Sequence, residues 1–136
     1  MRKIKFRAQR LDNREWAYGY LFQGKADEKT KYAFILKDDL YVNDEYIPDG
    51  NVLFTSSEVA IVDINTVGQF TGLQDKKGKD IYEGDLIIRK GMKRIGHVYF
   101  FQGSFYADFD GFTMRLSQLV EIYDIRVVGV TYQTTE

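Results

Sequence analysis

Residues 70–87, FTGLQDKKGKDIYEGDLI, place two turn signals close together on either side of a short apolar run. The carboxylate of Asp75 can accept hydrogen bonds from backbone N–H groups just ahead of it, and Gly78 can adopt a positive φ without strain. Gly84, followed by Asp85, marks a second sharp bend before the next apolar run. Because bends this close together exclude a long helix, we predict a β-hairpin followed by a strand. These four residues form the turn motif, and turn chemistry explains them without a ligand.

The rest of the chain repeats this arrangement of short apolar runs and turn residues. Ile4, Phe6 and Ala8 alternate with the basic residues Lys5 and Arg7, which is the pattern of a half-buried strand. Aromatic residues make up 15% of the chain, and this enrichment favours strands. The further predicted strands cover residues 16–24, 31–37, 52–55, 85–89, 94–102, 104–109, 112–116 and 125–134. Short strands at this spacing indicate a mainly β protein that contains a small barrel.

Two kinds of segment depart from the strand pattern. Residues 38–51 contain five acids, no bases and the only proline, which predicts an exposed loop or short strand, with an acidic contact surface as the alternative. Residues 55–58, TSSE, have the chemistry of a helix start, but the β-branched residues that follow allow at most a short helical turn. Residues 117–123 predict one further helical turn, so we expect little helix.

Charge and composition argue against several classes of protein. The 19 Lys and Arg residues nearly balance the 20 Asp and Glu residues, so strong non-specific binding to nucleic acid is not expected. The absence of cysteine excludes disulfides, thiolate nucleophiles and cysteine-based metal sites. No apolar run has the length of a signal-peptide core or a membrane-spanning helix. We therefore expect a cytoplasmic protein that has no membrane partner.

Residues of the types that carry catalysis are sparse. His97 is the only histidine and falls within a predicted strand, where we expect a surface or edge residue. Asp108 and Asp110 supply too few ligands for a cation site, and the glycine after them indicates an ordinary turn. Glu83 and Asp85 flank a glycine, and we expect Asp85 to bind backbone amides there while Glu83 is solvated. We accordingly assign no catalytic residue, metal or cofactor and predict a protein that is not an enzyme.

Aromatic and basic residues of the C-terminal half are the candidates for a binding surface. The chain has more Tyr and Phe side chains than a small core can hold, and residues 89–94, RKGMKR, add four bases. The candidate interaction surface consists of Tyr82, Arg89, Lys90, Lys93, Arg94 and Tyr99. Exposed aromatic residues beside arginine suit a protein partner, and they also suit base stacking with phosphate contacts. Exposed strand edges add a route to self-association.

Three segments together resemble the YopX-like family of phage and prophage proteins: GQFTGLQDKKGKDIYEGDLI, the N-terminal MRKIKFRAQRLDNREW and the C-terminal VVGVTYQ. The resemblance implies a small β-rich protein, made inside a bacterium, whose C-terminal part is similar to an SH3-type barrel. It implies no reaction, cofactor or catalytic residue. The ending VTYQTTE departs from the Asn-Pro tail that is more typical of the family, so no role is carried over to the tail.

The residues and the resemblance together predict one architecture and one role. We expect residues 1–66 to form a β meander that packs on an SH3-like barrel formed by residues 67–136. The predicted role is that of a non-enzymatic phage accessory protein that binds an unidentified host or phage protein. Nucleic-acid binding through the aromatic and basic residues of the barrel is the alternative.

Overall fold

The computed structural model describes residues 3–37 and 59–131, most of which lie in β-strands. The strands are β1 (Phe6–Gln9), β2 (Trp16–Lys25), β3 (Lys31–Lys37), β4 (Val59–Val62), β5 (Gly68–Gln74), β6 (Asp80–Tyr82), β7 (Asp85–Arg89), β8 (Ile95–Phe101), β9 (Ser104–Asp108), β10 (Thr113–Arg115) and β11 (Ile125–Val130). The prediction of a mainly β fold is confirmed. The predictions for residues 38–51, 52–55, 55–58 and 132–134 lie outside the described residues.

Helix is confined to two short elements in the described part of the chain. A 3₁₀ turn, Ile64–Thr66, follows β4, where the side chain of Asp63 accepts a hydrogen bond from the N–H of Asn65. The α-helix α1, Leu116–Ile122, is longer than the single predicted turn because it buries Leu116 and Leu119 on one face. Among the described residues, no helix has both the length and the apolar character needed to cross a membrane.

The chain divides into two compact units, which we call the N-terminal unit (Lys5–Val67) and the C-terminal unit (Met1–Ile4 with Gly68–Glu136). In the N-terminal unit, β1 to β4 form an antiparallel sheet in which each strand pairs with the next along the chain. One face of this sheet holds a core of small and medium side chains, namely Ala8, Ala33, Ile35, Ala60 and Val62. A single antiparallel bridge between Arg10 and Val62 joins the ends of β1 and β4.

The prediction that Arg7 on β1 faces solvent is wrong. The alternating pattern predicts that Arg7 points to solvent, yet Arg7 is only 5% exposed and Gln9 is also buried. The guanidinium carbon of Arg7 lies 4.6 Å from the ring centroid of Trp16, at the start of β2. A basic side chain in a strand can therefore be covered by a large aromatic neighbour, which the alternation alone does not reveal.

In the C-terminal unit, β7 to β11 form an antiparallel sheet with the strand order β10-β9-β8-β7-β11, and β5 and β6 form a hairpin. Its core contains larger side chains than that of the N-terminal unit, including Ile81, Ile87 and Leu116. Gly96 on β8 is required by packing, because a Cβ there would come within 2.7 Å of the Phe109 ring. The order leaves β10 and β11 as edge strands, and closure into an SH3-like barrel stays a prediction.

Candidate functional site

Asp75 shapes the loop of the β5–β6 hairpin and also fastens it to a distant strand. Its Oδ1 accepts hydrogen bonds from the backbone N–H groups of Lys77 and Lys79, both at 2.9 Å. Its Oδ2 accepts one from the N–H of Val127, on β11, at 3.0 Å. Gly78 has a φ of 83°, which supports its place in the turn motif. Local turn chemistry explains the first two contacts, whereas the contact with Val127 depends on the tertiary fold.

The charge state of Asp75 follows from these contacts. Burial raises the pKa of the Asp75 carboxyl, but the N–H groups of Val127, Lys79 and Lys77 favour the ionised form and together lower the pKa below its usual value. A carboxylate held in its charged form by three N–H donors is a structural group. It is poorly suited to act as a general acid or base, which needs a pKa near neutrality.

Asp85 and Gly84 form the second bend of the turn motif. Gly84 has a φ of 92°, and its N–H donates to the carbonyl oxygen of Val98. Asp85 is fully buried and its Oδ2 accepts a hydrogen bond from the N–H of Tyr82 at 2.8 Å. Glu83, expected in solvent, is half-buried. The Asp85 carboxylate therefore fixes the backbone at this bend through its hydrogen bond to Tyr82.

The residues of the candidate interaction surface do not all lie at the surface in the structure. Tyr82 is only 3% exposed and its ring packs against Phe70, so it belongs to the interior. Tyr99 is half-buried on β8 and stacks on Tyr106, with ring centroids 5.9 Å apart. The four basic residues behave differently, because Lys90, Lys93 and Arg94 are exposed and Arg89 is half-buried at the turn between β7 and β8.

This basic turn borders a pocket of about 300 Å³ in the C-terminal unit. We call it the arginine-rimmed pocket, and it is lined by Arg89, Met92, Arg94, Phe109, Phe112, Leu119 and Tyr123. Phe109 and Leu119 are buried and form its floor, whereas Met92 and Phe112 are 50% and 55% exposed. The pocket therefore combines an apolar interior with apolar side chains that water still reaches.

Several elements bring the lining residues together. Phe109 follows β9, and its N–H donates to the carbonyl oxygen of Phe112 at 2.7 Å, which closes the loop before β10. Leu119 is presented by α1, and Tyr123 ends that helix with its N–H bonded to the carbonyl oxygen of Leu119. Arg89 is the last residue of β7. The pocket is consequently a product of tertiary packing and not of any one sequence motif.

The electrostatics of the pocket rim are positive. The guanidinium carbon of Arg89 lies 3.6 Å from the centroid of the Tyr123 ring. The neighbouring carboxylate of Asp124 is engaged by Arg126, whose hydrogen bonds lower the pKa of Asp124. Within residues 3–37 and 59–131, none of the four basic residues of the turn (Arg89, Lys90, Lys93 and Arg94) forms an ion pair. The side of the pocket formed by this turn therefore carries positive charge, which suits an anionic ligand.

Sequence reasoning identified the cations of this site but not its apolar part. It did not single out Met92, Phe109, Phe112 or Leu119, which were assigned to turns, strands or a helical turn. One signal was present, since Met92 is an exposed apolar residue inside the basic run RKGMKR.

The N-terminal unit has a second exposed surface that sequence reasoning did not single out. Alternate residues of β2 and β3 place six rings on one face of the sheet, namely Trp16, Tyr18, Tyr20, Phe22, Tyr32 and Phe34. Phe22 and Phe34 are cross-strand neighbours and stack with ring centroids 5.1 Å apart. We call this the aromatic face, and the core described above lies on the opposite side of the same sheet.

The remaining candidate residues occupy ordinary structural positions. His97 is exposed on β8, with its Nδ1 3.5 Å from the hydroxyl of Thr131. The Oδ1 of Asp108 accepts a hydrogen bond from the N–H of Gly111, and Asp110 has a φ of 60° in the same turn. Across the described ranges, no cluster of three or more His, Cys, Asp or Glu side chains has a geometry suited to a metal ion.

Fold and site together define a mainly β protein of two units with a basic, apolar pocket in the C-terminal unit. A family model described as YopX protein matches residues 5–136, and the chain belongs to this family. The crystal structure of protein EF1440 from Enterococcus faecalis is similar, with 20% sequence identity, a TM-score of 0.59, and coverage of 96% of this chain and 94% of that chain. At that identity the likeness shows the fold alone. No curated protein matches the chain.

Proposed function

We propose that this YopX-family protein is a non-enzymatic accessory protein of a phage or prophage. In this proposal it acts inside the bacterial cell as a protein-interaction module, and the partner docks at the arginine-rimmed pocket of an SH3-like C-terminal unit. The sequence resemblance to phage and prophage proteins supports the setting. An exposed apolar pocket lies beside a turn of four cations that form no ion pair with any described residue, and this coincidence carries the proposal for the role.

The composition of the pocket supports a protein partner. Binding hot spots in protein interfaces are enriched in aromatic residues and arginine that surround a desolvated centre. Phe112 and Met92 keep about half of their surface in water, and covering that surface is favourable by roughly 25 cal/mol for each Å². The buried floor of Phe109 and Leu119 gives an incoming apolar side chain a surface to pack against.

Nucleic-acid binding is the less favoured alternative. Proteins that bind single strands align cations along a groove and offer ring faces to successive bases. Here the four cations are confined to one turn, and the face of Tyr123 is covered by Arg89. Tyr82 is buried and Tyr99 is half-buried against Tyr106, so the two tyrosines proposed for base stacking do not form an open platform beside the cations.

Site-specific photo-crosslinking in cells tests the proposal. One variant carries a photoreactive phenylalanine analogue in place of Phe112, and the control carries it in place of Phe101, which is 54% exposed and does not line the pocket. We expect an adduct at position 112 that protease removes and nuclease does not, and no such adduct at position 101. A nuclease-sensitive adduct, equal adducts at both positions, or no adduct at position 112 would overturn the proposal.

A further inference from the structure

We propose that the arginine-rimmed pocket recognises an acidic peptide segment in which one large apolar side chain is flanked by carboxylates. The apolar side chain enters the pocket and packs on Phe109 and Leu119, while Arg89 and Arg94 bind the flanking carboxylates. This inference rests on the proposed function, because it names the chemistry of the partner at the same site.

The size and lining of the pocket define the apolar part of the ligand. A volume of about 300 Å³ is at the low end of the range of roughly 300–1,000 Å³ that is typical of small-molecule sites. The floor offers no charged group, and the rim adds the flexible thioether side chain of Met92, which adapts to different shapes. A single large aliphatic or aromatic side chain fits this description.

The charge of the rim defines the flanking part of the ligand. Four cations occur between residues 89 and 94, and within the described residues none of them forms an ion pair with a carboxylate. The backbone carbonyl oxygen of Asp124 accepts a hydrogen bond from the N–H of Lys90. The carboxylate of Asp124 is hydrogen-bonded to Arg126, and Lys90 interacts with it only through longer-range electrostatics. The charge of this turn is positive, so the complementary residues of a partner are Asp and Glu.

Arg89 is oriented in advance for carboxylate binding. Its guanidinium is held over the ring of Tyr123, and Tyr123 is fixed at the end of α1 by its hydrogen bond to Leu119. Stacking occupies the flat face of a guanidinium and leaves its N–H edges able to bind a carboxylate through two parallel hydrogen bonds. Because the side chain is already ordered, less conformational entropy is lost when the ligand binds.

Selection from a displayed library of short random peptides tests the inference without assuming a sequence. The bait is the full chain, and the same selection is run on Phe112→Ala and on the control Phe101→Ala. We expect wild-type and Phe101→Ala baits to recover peptides with Asp or Glu beside an aromatic or large aliphatic residue. Recovery of neutral or basic peptides, or equal recovery by Phe112→Ala, would overturn the inference.

Fluorescence polarisation with a recovered peptide then tests the roles of the two arginines. Arg89→Glu with Arg94→Glu should weaken binding by at least about tenfold, because charge-assisted hydrogen bonds are lost and like charges are introduced. Lys29→Glu with Lys31→Glu makes the same change in net charge at exposed positions of the N-terminal unit and should leave the affinity within about twofold. Arg89→Lys keeps the positive charge but loses the planar guanidinium that can donate two parallel hydrogen bonds, and it should still weaken binding severalfold.

Failure of the inference and failure of the proposed function give different results. If the nuclease-resistant adduct at position 112 forms in cells but no acidic peptide is recovered, the site binds a protein of other chemistry and the inference fails alone. If labelled oligothymidylate binds the pocket more tightly than any peptide and the adduct is nuclease-sensitive, both fail.

Discussion

The two units build their cores from different side chains, and they differ in where they leave aromatic residues. The N-terminal unit buries mostly alanine on one face of its sheet and leaves Tyr18, Tyr20, Phe22 and Tyr32 exposed on the opposite face. The C-terminal unit buries isoleucine, leucine and phenylalanine, and its exposed apolar residues include two on the rim of a pocket. Exposed aromatic area alone is therefore a weak sign of a site. The pocket differs from the aromatic face in having a buried apolar floor and a border of four cations in one turn.

The largest expected effect is the loss in free energy of unfolding when a core side chain is truncated. Ile87→Ala should lower the free energy of unfolding by about 2–5 kcal/mol, because it leaves a cavity among large neighbours in the C-terminal unit. Ile35→Ala, equally buried but in a cluster where half of the other side chains are alanine, should cost less, because fewer side-chain atoms lose contacts. Urea denaturation of both variants makes the comparison. A larger loss for Ile35→Ala would contradict the contrast between the cores.

A second prediction connects the C-terminal core with the pocket. Gly96→Ala should cost about 1–3 kcal/mol and reduce peptide binding, because the new methyl group displaces the Phe109 ring that forms the pocket floor. Gly129→Ala is the matched control, since its Cβ would lie 3.6 Å from a methyl group of Leu86, an ordinary contact. Denaturation and fluorescence polarisation give the two readouts. Unchanged binding by Gly96→Ala would show that the floor does not contact the ligand.

The third prediction concerns the pH dependence of the hairpin tether. Asp75→Asn should lose about 1–2 kcal/mol near neutral pH, because the charge-assisted bond to the N–H of Val127 is lost. The folded pKa of Asp75 lies below its unfolded value, so this stabilisation is complete well above about pH 4. It disappears as the pH falls through the folded pKa. The difference between wild type and variant, measured by denaturation across the acidic range, should shrink below about pH 4, and a constant difference would refute the assignment.

The smallest expected effect is on the aromatic face. Phe22→Ala removes the stacking contact with Phe34, which is worth about 0.5–1.5 kcal/mol beyond buried area, and much of the ring is already in water. Peptide binding should not change. A loss of binding by Phe22→Ala comparable with that of Phe112→Ala would remove the distinction between the two surfaces.

Much of the strand layout could be predicted from sequence because the signals are local. Residues 31–37 and 85–89 match β3 and β7, and residues 16–24 differ from β2 by one residue. In each case a run of β-branched or aromatic residues is bounded by turn-forming residues. Helix α1 was predicted too short, since its second turn is stabilised by burial of Leu119, which is a tertiary effect.

The site was less predictable because it too depends on tertiary packing. The basic turn is continuous in sequence, so its cations could be proposed together. Phe109, Leu119 and Tyr123 come from separate elements, and no spacing rule brings them to one pocket. Tyr82 was expected at the surface because the chain has more aromatic side chains than a small core can hold, but that count does not say which of them are buried, and Tyr82 is buried next to Ile81.

The most direct test of the central idea, that the partner covers the arginine-rimmed pocket, is the oxidation rate of Met92 under hydroxyl-radical footprinting. Met92 is half-exposed on the pocket rim, so its thioether is readily oxidised in the unbound protein. In the purified complex with the crosslinked partner, we expect Met92 to be protected while Phe101 reacts as before. Equal oxidation of Met92 in the bound and unbound protein would contradict the account.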